Sequence, residues 1–333
     1  MNTLETNTFR GLTRRHVLTA ASGAAVTAWS GLVQAQASYP SRPITVILPF
    51  PAGGTTDRIM RSLTQLATGT IGQPFVIDNK PGAATLIAAQ ALMRARPDGY
   101  TIGLVPMSVN RLRALGKTNI DTSKDFSYIA RVVGQTHGLV ARSDSRFHSV
   151  ADVVKAAKEK PDVITYGTSG VATHTHVAME DFAERAGIRL NHIPFKGGTE
   201  SLKALLAGEI DLLAESPLWA PHVDNGQCRL LATWNEQRVA RYPSVPTMRE
   251  LGYPLVFAGS FGLGGPAGIE SPVLARLRQV FKQAILSAEF KTECESILAP
   301  IMYLDGEDFR KFAQENFVQE KALAERLKGK LVE

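Results

Sequence analysis

The sequence of 333 residues has little cysteine, no clustered charge and, beyond its first 38 residues, no long apolar run. Two cysteines are too few for a disulfide-stapled scaffold. A membrane span takes about 18 or more uninterrupted apolar residues, so none is predicted beyond that start. Lysine and arginine are scattered singly. Without a basic run or a groove-reading motif, nucleic acid is not a predicted partner.

The composition that remains is that of a globular protein. Hydrophobic residues make up 44% of the chain and charged residues 20%, which excludes disorder and leaves room for two domains. The formal net charge is +6. Such a charge either favours small anionic ligands or reflects a solvated basic surface without a partner.

The first residues have the composition of an export signal. Arg14 and Arg15 precede an apolar, small-residue stretch from about Val17 to Val33, and Ala35-Gln36-Ala37 has the small-x-small form that signal peptidase accepts. The sequence therefore predicts a cleaved signal peptide over residues 1–37 and a periplasmic mature protein. Export by either the twin-arginine or the general secretory route fits this signal. An uncleaved anchor is the alternative, which the short, alanine-rich run disfavours.

Signatures of catalysis and cofactor binding are missing. The sequence has no G-x-S-x-G elbow, and the glycines of "SFGLGGPAG" do not form G-x-G-x-x-G. Cys228 has no histidine or asparagine at a recognisable signature spacing, and both Cys228 and Cys294 are predicted to be free thiols. We therefore expect no enzyme activity and no cofactor.

His174 and His176 form an H-x-H pair, which can bind zinc when a strand presents it. These residues instead stand at the start of a predicted helix, where side chains at i and i+2 point apart. No third ligand has a recognisable spacing, so no metal site is predicted.

Apolar strand patterns alternate with amphipathic helical patterns along the mature chain. Strands such as "ITVILPF", "VITYGTS" and "IDLLAES" are separated by helical stretches, including Asp57 to Thr68, Thr85 to Arg96 and Val150 to Glu159. Ser149 is a predicted N-cap and Gly187 a predicted helix end. The pattern predicts an α/β fold with mostly parallel sheets.

A strand, a glycine-containing turn and a helix start follow one another three times, in "ILPFPAGGTTDRI", "YGTSGVATHTHVAM" and "IPFKGGTESLKALL". In an open α/β sheet the ligand site lies beyond the carboxyl ends of the strands, where helix N-termini present free N–H groups. These turns are therefore candidates for binding an anion, although such turns are also common as plain loops.

The strings "YPSRPITVILPFPAGGTTDRIMRSL", "GQPFVIDNKPGAATLIAAQALMRARPDGYTI", "HIPFKGG", "AGEIDLLAES" and "SVPTMRELGY" closely resemble the Bug family. Members of this family are extracytoplasmic solute receptors of tripartite tricarboxylate transporters. The resemblance implies a periplasmic-binding-protein fold, with two α/β lobes joined by crossing strands around a ligand cleft. It places lobe one at residues 39–136 plus 261–333 and lobe two at residues 137–260.

The resemblance also implies that a ligand carboxylate lies between loops of the two lobes. The residues carried over by motif are Phe50, Pro51, Ala52, Gly53, Gly54, Thr55, Thr56, Asp57, Met107, Ser108, Thr168, Ser169, Gly170, Thr173, His174, His176, Phe195, Lys196 and Glu215. Three of these depart from the family pattern: Phe195 replaces a tyrosine, His174 a small hydroxyl residue, and Glu215 stands near the family's aspartate.

Several of these residues have a second interpretation. Thr55 or Thr56 either caps the helix or donates a hydroxyl to the ligand. Asp57 either stabilises the helix dipole or meets a ligand hydroxyl or ammonium. Lys196 either pairs with the anion or is simply solvated.

The resulting hypothesis is a periplasmic, monomeric receptor that captures a small organic carboxylate and delivers it to the permease subunits of a tripartite tricarboxylate transporter. A sensing subunit for a membrane histidine kinase is one alternative. An enzyme acting on a carboxylic acid is another, which the missing acid–base–nucleophile grouping disfavours.

Overall fold

The computed structural model describes residues 39–257 and 259–331, and the predicted signal peptide lies outside them. The described residues from Arg42 onward form one compact unit. Within it the chain builds two α/β lobes, each with its own sheet. The predicted fold class is therefore confirmed.

Lobe one contains the first part of the described chain and its C-terminal part. Its leading elements are β1 (Ile44–Leu48), α1 (Thr55–Ile71), β2 (Phe75–Asn79), α2 (Leu86–Met93), β3 (Thr101–Val105), α3 (Ser108–Ala114) and β4 (Phe126–Val133). The elements of lobe two, β5 to β9 and α4 to α7, come next in the chain. Lobe one then resumes with β10 (Phe261–Pro266), α8 (Ser271–Ile285), α9 (Ala288–Ser296), β11 (Ile301–Asp305) and α10 (Gly306–Arg326).

Lobe two is continuous in sequence. Its elements are β5 (Gly138–Arg142), α4 (Val150–Glu159), β6 (Thr165–Thr168), α5 (His174–Ala186), β7 (Asn191–Pro194), α6 (Gly198–Ala207), β8 (Leu212–Glu215), α7 (Ala220–Asp224) and β9 (Cys228–Thr233). Its core packs Phe147, Phe182 and Trp234 between the sheet and its helices.

Both sheets are mixed. The lobe-one sheet has the order β11-β4-β10-β3-β1-β2 and the lobe-two sheet the order β7-β6-β8-β5-β9. β1 pairs in parallel with β2 and β3, and β6 with β7 and β8, whereas β10, β11 and β5 pair antiparallel. The expectation of mostly parallel sheets was therefore wrong. β5 and β10, the strands that follow the two lobe crossings, run against the direction of the βαβ units.

The chain passes between the lobes at two places, from β4 to β5 through residues 134–137 and from β9 to β10 through residues 234–260. The first crossing is held by a third segment of chain. Gly134 N donates to Pro300 O at 2.9 Å and Thr136 N donates to Leu298 O at 3.3 Å. Both crossings contribute residues to the cavity described below, and crossings of this kind are where lobes hinge in two-lobed proteins.

Helix ends follow the sequence signals in most places. Ser149 Oγ accepts a hydrogen bond from Asp152 N at the start of α4, and Gly187 ends α5 in the left-handed region, with φ of 62°. α1 starts at Thr55, two residues before the predicted start. These predictions held because capping is decided by residues within one helical turn.

Two further observations concern the described chain as a whole. None of its helices combines the length and the apolar character that crossing a bilayer requires. Cys228 and Cys294 are both buried and both free, as predicted.

Candidate functional site

A partly enclosed cavity of about 80 Å³ lies between the lobes. A single water needs about 10–15 Å³, so the cavity has room for several water molecules. That is the size of a small metabolite. Lobe one contributes the loops after β1 and β3, and lobe two the starts of α5 and α6 and the end of β8.

The loop after β1 delivers the start of α1 to the cavity. Gly53 has φ of 81°, a conformation in which a side chain is strained, and it turns the backbone into the helix. Gly54 is the N-cap residue and supplies no side-chain cap, so the first amides of α1 have no side-chain acceptor. Gly54, Thr55 and Thr56 line the cavity. These amides and the positive end of the helix favour an anion there.

Asp57 fixes this loop and does not line the cavity. Its Oδ2 accepts from Gly53 N at 3.0 Å and from Arg61 Nε at 2.8 Å, and its Oδ1 accepts from Asn79 Nδ2 at 3.1 Å. Burial opposes ionisation of this carboxyl, but the hydrogen bonds from Arg61, Gly53 and Asn79 outweigh it and lower the pKa of Asp57 below its usual value. Asp57 is therefore a charged clamp on the turn.

Two helix starts in lobe two face the same cavity. α6 begins after Gly197 without a side-chain cap, and Gly198 and Thr199 line the cavity. α5 begins after Thr173, whose hydroxyl is used in the loop because it accepts from His176 N and donates to Gly170 O. The two uncapped helix ends, of α1 and α6, thus come from opposite lobes.

The imidazoles of the cavity wall, those of His137 and His174, are held neutral. Burial lowers the pKa of His137 to about 4, against a weak opposing hydrogen bond to Phe257 O. Burial lowers the pKa of His174 well below its usual value, and the charges of Arg111 and His137 lower it further. These rings therefore offer neutral donors or acceptors to a ligand at neutral pH.

Glu215, at the end of β8, is buried in the cavity wall. Its Oε1 accepts from Ser216 N at 2.8 Å, while its Oε2 has no hydrogen-bond partner among the described residues. Burial raises the pKa of Glu215, and the neighbouring Ser216 and Ser169 offset this only in part. The carboxyl is therefore disposed to carry a proton.

Side chains of lobe one meet lobe two and the first crossing around the cavity. Gln135 Nε2, in the crossing, donates to Thr56 Oγ1 at 3.0 Å, and Ser216 Oγ donates to Thr55 Oγ1 at 3.4 Å. Pro51 packs on Gly197, where an added Cβ would lie 2.8 Å from the proline ring. Thr55 and Thr56 thus neither cap α1 nor stand free. Thr55 joins lobe one to lobe two, and Thr56 joins lobe one to the first crossing.

The predicted site residues fall into three groups. Those in the cavity wall are Phe50, Pro51, Gly54, Thr55, Thr56, Met107, Ser108, Ser169, Thr173, His174 and Glu215. Gly170, Phe195 and Lys196 instead line a neighbouring, more open cavity of about 560 Å³. Ala52, Gly53, Asp57, Thr168 and His176 line neither.

His176 and Thr168 are used inside lobe two. The His176 ring stacks on His192 with centroids 3.8 Å apart, and its Nδ1 accepts from Ala172 N at 3.0 Å. Thr168 Oγ1 bonds His192 Nε2 at 2.8 Å. The structure therefore places both residues behind the loop that carries Ser169. His174 lines the cavity, whereas His176 stacks on His192. No group of three potential metal ligands occurs in the described ranges.

Other wall residues were missed by the sequence interpretation: Thr85, Gln135, His137, Gly198, Thr199, Ser216 and Ser260. Ser216 follows a strand, and Gly198 and Thr199 belong to the third glycine turn, so position after a strand was an available signal. Gln135 and His137 lie in a lobe crossing and belong to no motif.

The cavity wall combines apolar surface with polar groups and carries no fixed positive side chain. None of its described residues is lysine or arginine. An anion in it is therefore met by backbone N–H groups, hydroxyls, an amide and neutral imidazoles. Each hydrogen bond to a charged group contributes about 1.5–3 kcal/mol.

Two α/β lobes around a partly enclosed cavity lined by helix N-termini define the class of two-lobed solute-binding proteins. A family model described as "Tripartite tricarboxylate transporter family receptor" matches residues 59–328. The chain belongs to this family of periplasmic receptors.

Individual relatives agree. The chain is 40% identical to the "UPF0065 protein in gbd 5'region" of Cupriavidus necator, over 94% of this chain and 98% of the relative. The solved structure of the periplasmic binding protein BugD has 26% identity and a TM-score of 0.82, covering 86% of this chain and 98% of that one. The structure titled "R. palustris Rpa4515 with adipate" has 26% identity and a TM-score of 0.81, covering 86% and 97%. The resemblance to Bug receptors is thus confirmed.

Proposed function

We propose that this receptor captures a small organic carboxylate between its lobes and delivers it to the permease subunits of a tripartite tricarboxylate transporter. The proposal rests on one observation above all. The uncapped N-terminal ends of α1 and α6 come from opposite lobes and open onto one small cavity whose described wall has no cationic side chain. An organic carboxylate in the Rpa4515 structure, adipate, agrees with this chemistry.

The arrangement also provides a mechanism of capture. Each lobe alone offers only half of the donors, and an anion that bridges both binds the closed form more tightly than the open one. The contact between Thr55 and Ser216 joins the two lobes, so it forms only when the lobes approach. Closure excludes water, which strengthens each amide–carboxylate bond. The permease would then recognise the closed surface.

We also propose that the signal peptide is cleaved and that the receptor is a monomer. One lobe would comprise residues 39–136 plus 261–333, and the other residues 137–260. A membrane permease is the favoured partner because the matching family model is that of a transporter receptor. We expect the bound acid to be released unchanged.

The test is a thermal-shift screen of the purified mature protein against carboxylic acids. A ligand at 100 times its dissociation constant adds about 2.7 kcal/mol to the free energy of unfolding. Mass spectrometry of the recovered ligand checks for turnover. If no carboxylate stabilises the protein, or if the acid is converted, the proposal is wrong.

Two glycines at opposite ends of α1 make a matched pair of variants. Gly53 has φ of 81° and Gly72 φ of 82°, and an added Cβ meets nothing within 4 Å at either. Gly53→Val and Gly72→Val therefore impose similar backbone strain, of order 1–3 kcal/mol. Gly53→Val should abolish the ligand-induced shift because it displaces the amides of α1, whereas Gly72→Val should retain it. Equal shifts in both variants would remove the first loop from the site.

A further inference from the structure

The carboxyl group of Glu215 is the least satisfied polar group of the cavity wall. Ser216 N donates a hydrogen bond to Glu215 Oε1, but Glu215 Oε2 is buried without a hydrogen-bond partner among the described residues. Buried polar atoms are normally paired, so a buried orphan oxygen calls for an explanation. Glu215 lines the cavity that we assign to the ligand, and the ligand is the missing partner that this position offers.

The surroundings of Glu215 contain no compensating charge. The segments packed on the carboxyl present Ser169, Ser216 and Gly198, none of which titrates, and the Trp219 indole donates to the backbone oxygen of Glu215. His137 and His174 are the other titratable groups of the wall. An ionised Glu215 beside a bound carboxylate would therefore place two like charges in a partly enclosed site whose described wall has no lysine or arginine.

We propose that Glu215 is protonated in the ligand-bound receptor and donates its Oε2 hydroxyl to a carboxylate oxygen of the ligand, so that binding is linked to proton uptake. The inference rests on the proposed function, because it needs a carboxylate in this cavity. The ligand arrives as an anion, Glu215 takes its proton from solvent, and no covalent bond of the ligand changes.

The hydrogen-bond geometry determines which oxygen carries the proton. Oε1 already accepts from Ser216 N at 2.8 Å, as a carbonyl oxygen would. The hydroxyl is then Oε2, the oxygen that lacks a partner. Burial raises the pKa of this carboxyl even before a ligand adds its own negative charge. The proton therefore costs less here than on an exposed glutamate.

Isothermal titration calorimetry tests the linkage. Malate and adipate are titrated into the mature protein between about pH 6 and pH 8, where their own carboxyls are ionised. Two buffers of different ionisation enthalpy are used at each pH. The wild-type protein should take up as much as one proton per ligand, and its Kd should rise with pH by up to about tenfold per unit.

The Glu215→Gln variant distinguishes a protonated Glu215, which donates a hydrogen bond to the ligand, from an ionised Glu215, which carries a negative charge. The carboxamide keeps an acceptor for Ser216 N and offers a permanent N–H donor in place of the hydroxyl. Binding by this variant should show no proton uptake and a Kd that changes by less than about twofold over the same range. Glu236→Gln is the matched control, because the Glu236 side chain is 72% exposed in the same lobe. It should retain the pH dependence of the wild-type protein.

Three results would overturn the inference. The first is pH-independent binding by the wild-type protein without proton uptake. The second is proton uptake that persists in Glu215→Gln, which would place the proton on His137 or His174. The third is loss of binding in Glu215→Gln together with tight wild-type binding of an α-amino acid such as glutamate, since an ionised Glu215 would then be pairing with an ammonium group. Absence of any carboxylate binding in the wild-type protein would instead contradict the proposed function.

Discussion

Arg111 and Glu320 form a two-point ion pair that is almost entirely buried. Arg111 Nε donates to Glu320 Oε2 at 2.7 Å and Nη2 donates to Oε1 at 2.8 Å. The side chains are 0% and 7% exposed. The remaining nitrogen, Nη1, donates to Ala172 O at 2.6 Å, in the loop of lobe two that precedes α5. One guanidinium thus joins α3 and α10 of lobe one to the cavity loop of lobe two.

We predict that Arg111→Met lowers the free energy of unfolding by about 3–5 kcal/mol, because it leaves Glu320 buried without its partner. The double variant Arg111→Met/Glu320→Met should recover much of this loss, since it removes both charges. Urea unfolding of the ligand-free protein measures both effects.

Arg249→Met is the control for this pair. Arg249 and Glu236 also form an ion pair, at 3.4 Å, but their side chains are 59% and 72% exposed. Exposed pairs contribute about 0–1 kcal/mol. If Arg111→Met costs no more than Arg249→Met, the buried pair has no special role in stability.

The stacked histidines of lobe two predict a loss of stability in acid. Burial lowers the pKa of His176 to about 3, with the charges of His192 and Arg111 adding to the effect, and burial lowers that of His192 to about 4. In the unfolded chain both titrate near about 6.5. Their contribution to stability is therefore complete above about pH 6.5 and is lost as the pH falls towards 3–4, by up to about 1.4 kcal/mol per pH unit for each fully buried site.

His176→Asn tests this sign. Asparagine places an amide oxygen near the position of Nδ1, which accepts from Ala172 N, and it cannot titrate. The free energy of unfolding should depend less steeply on pH between about pH 6 and pH 4 than in the wild-type protein. His148 is exposed, so His148→Asn should leave a steeper slope than His176→Asn does. Equal slopes in both variants would contradict the prediction.

The clamp around Asp57 predicts a second acid-sensitive contribution. Folding lowers the pKa of Asp57 below the value of about 3.9 that it has in the unfolded chain. The ionised carboxyl therefore stabilises the fold fully above about pH 3.9, and this stabilisation is lost as the pH falls through the pKa of the folded protein. Asp57→Asn should reduce the free energy of unfolding at about pH 7 by about 1.5–3 kcal/mol. Urea titrations should show the difference from wild type narrowing below about pH 4, and a constant difference would exclude the ionised clamp.

The turn at Gly53 to Thr56 was predictable because it is determined locally. Strand end, left-handed glycine, N-cap and helix start follow one another within eight residues, from Leu48 to Thr55, and each depends on its near neighbours. The same local reasoning led to the prediction that Asp57 belongs to the ligand site, because Asp57 directly follows this turn in the chain. The sequence also contained the signal for an ion pair within the helix, because Arg61 stands one helical turn after Asp57. The two side chains form this i,i+4 pair in the structure.

The rest of the site depends on packing between lobes, which no local pattern encodes. Gln135 and His137 reach the cavity because the first crossing runs along its edge. His176 fits the family position yet turns inward, since His192 from a neighbouring strand provides a stacking partner. The unpaired oxygen of Glu215 is likewise visible only once Ser216 and Gly198 are placed around it.

The contact between Pro51 and Gly197 predicts a variant that impairs closure without impairing folding. Gly197 has φ of 176°, an extended conformation open to any residue, so alanine introduces no backbone strain there. Its Cβ would, however, lie 2.8 Å from the Pro51 ring of the other lobe. Overpacking of this kind costs about 1–3 kcal/mol, and here the cost falls on the closed state alone.

Gly197→Ala should therefore raise the ligand Kd by about 5- to 150-fold while changing the ligand-free unfolding free energy by less than about 0.5 kcal/mol. Calorimetry and urea unfolding measure the two quantities. Gly69→Ala, inside α1 with nothing within 4 Å of the added Cβ, is the matched control and should leave ligand affinity unchanged. Small-angle scattering adds a direct readout, because Gly197→Ala should stay more extended than wild type at saturating ligand. Wild-type affinity and compaction in Gly197→Ala would mean that the lobes do not meet at this contact when ligand is bound.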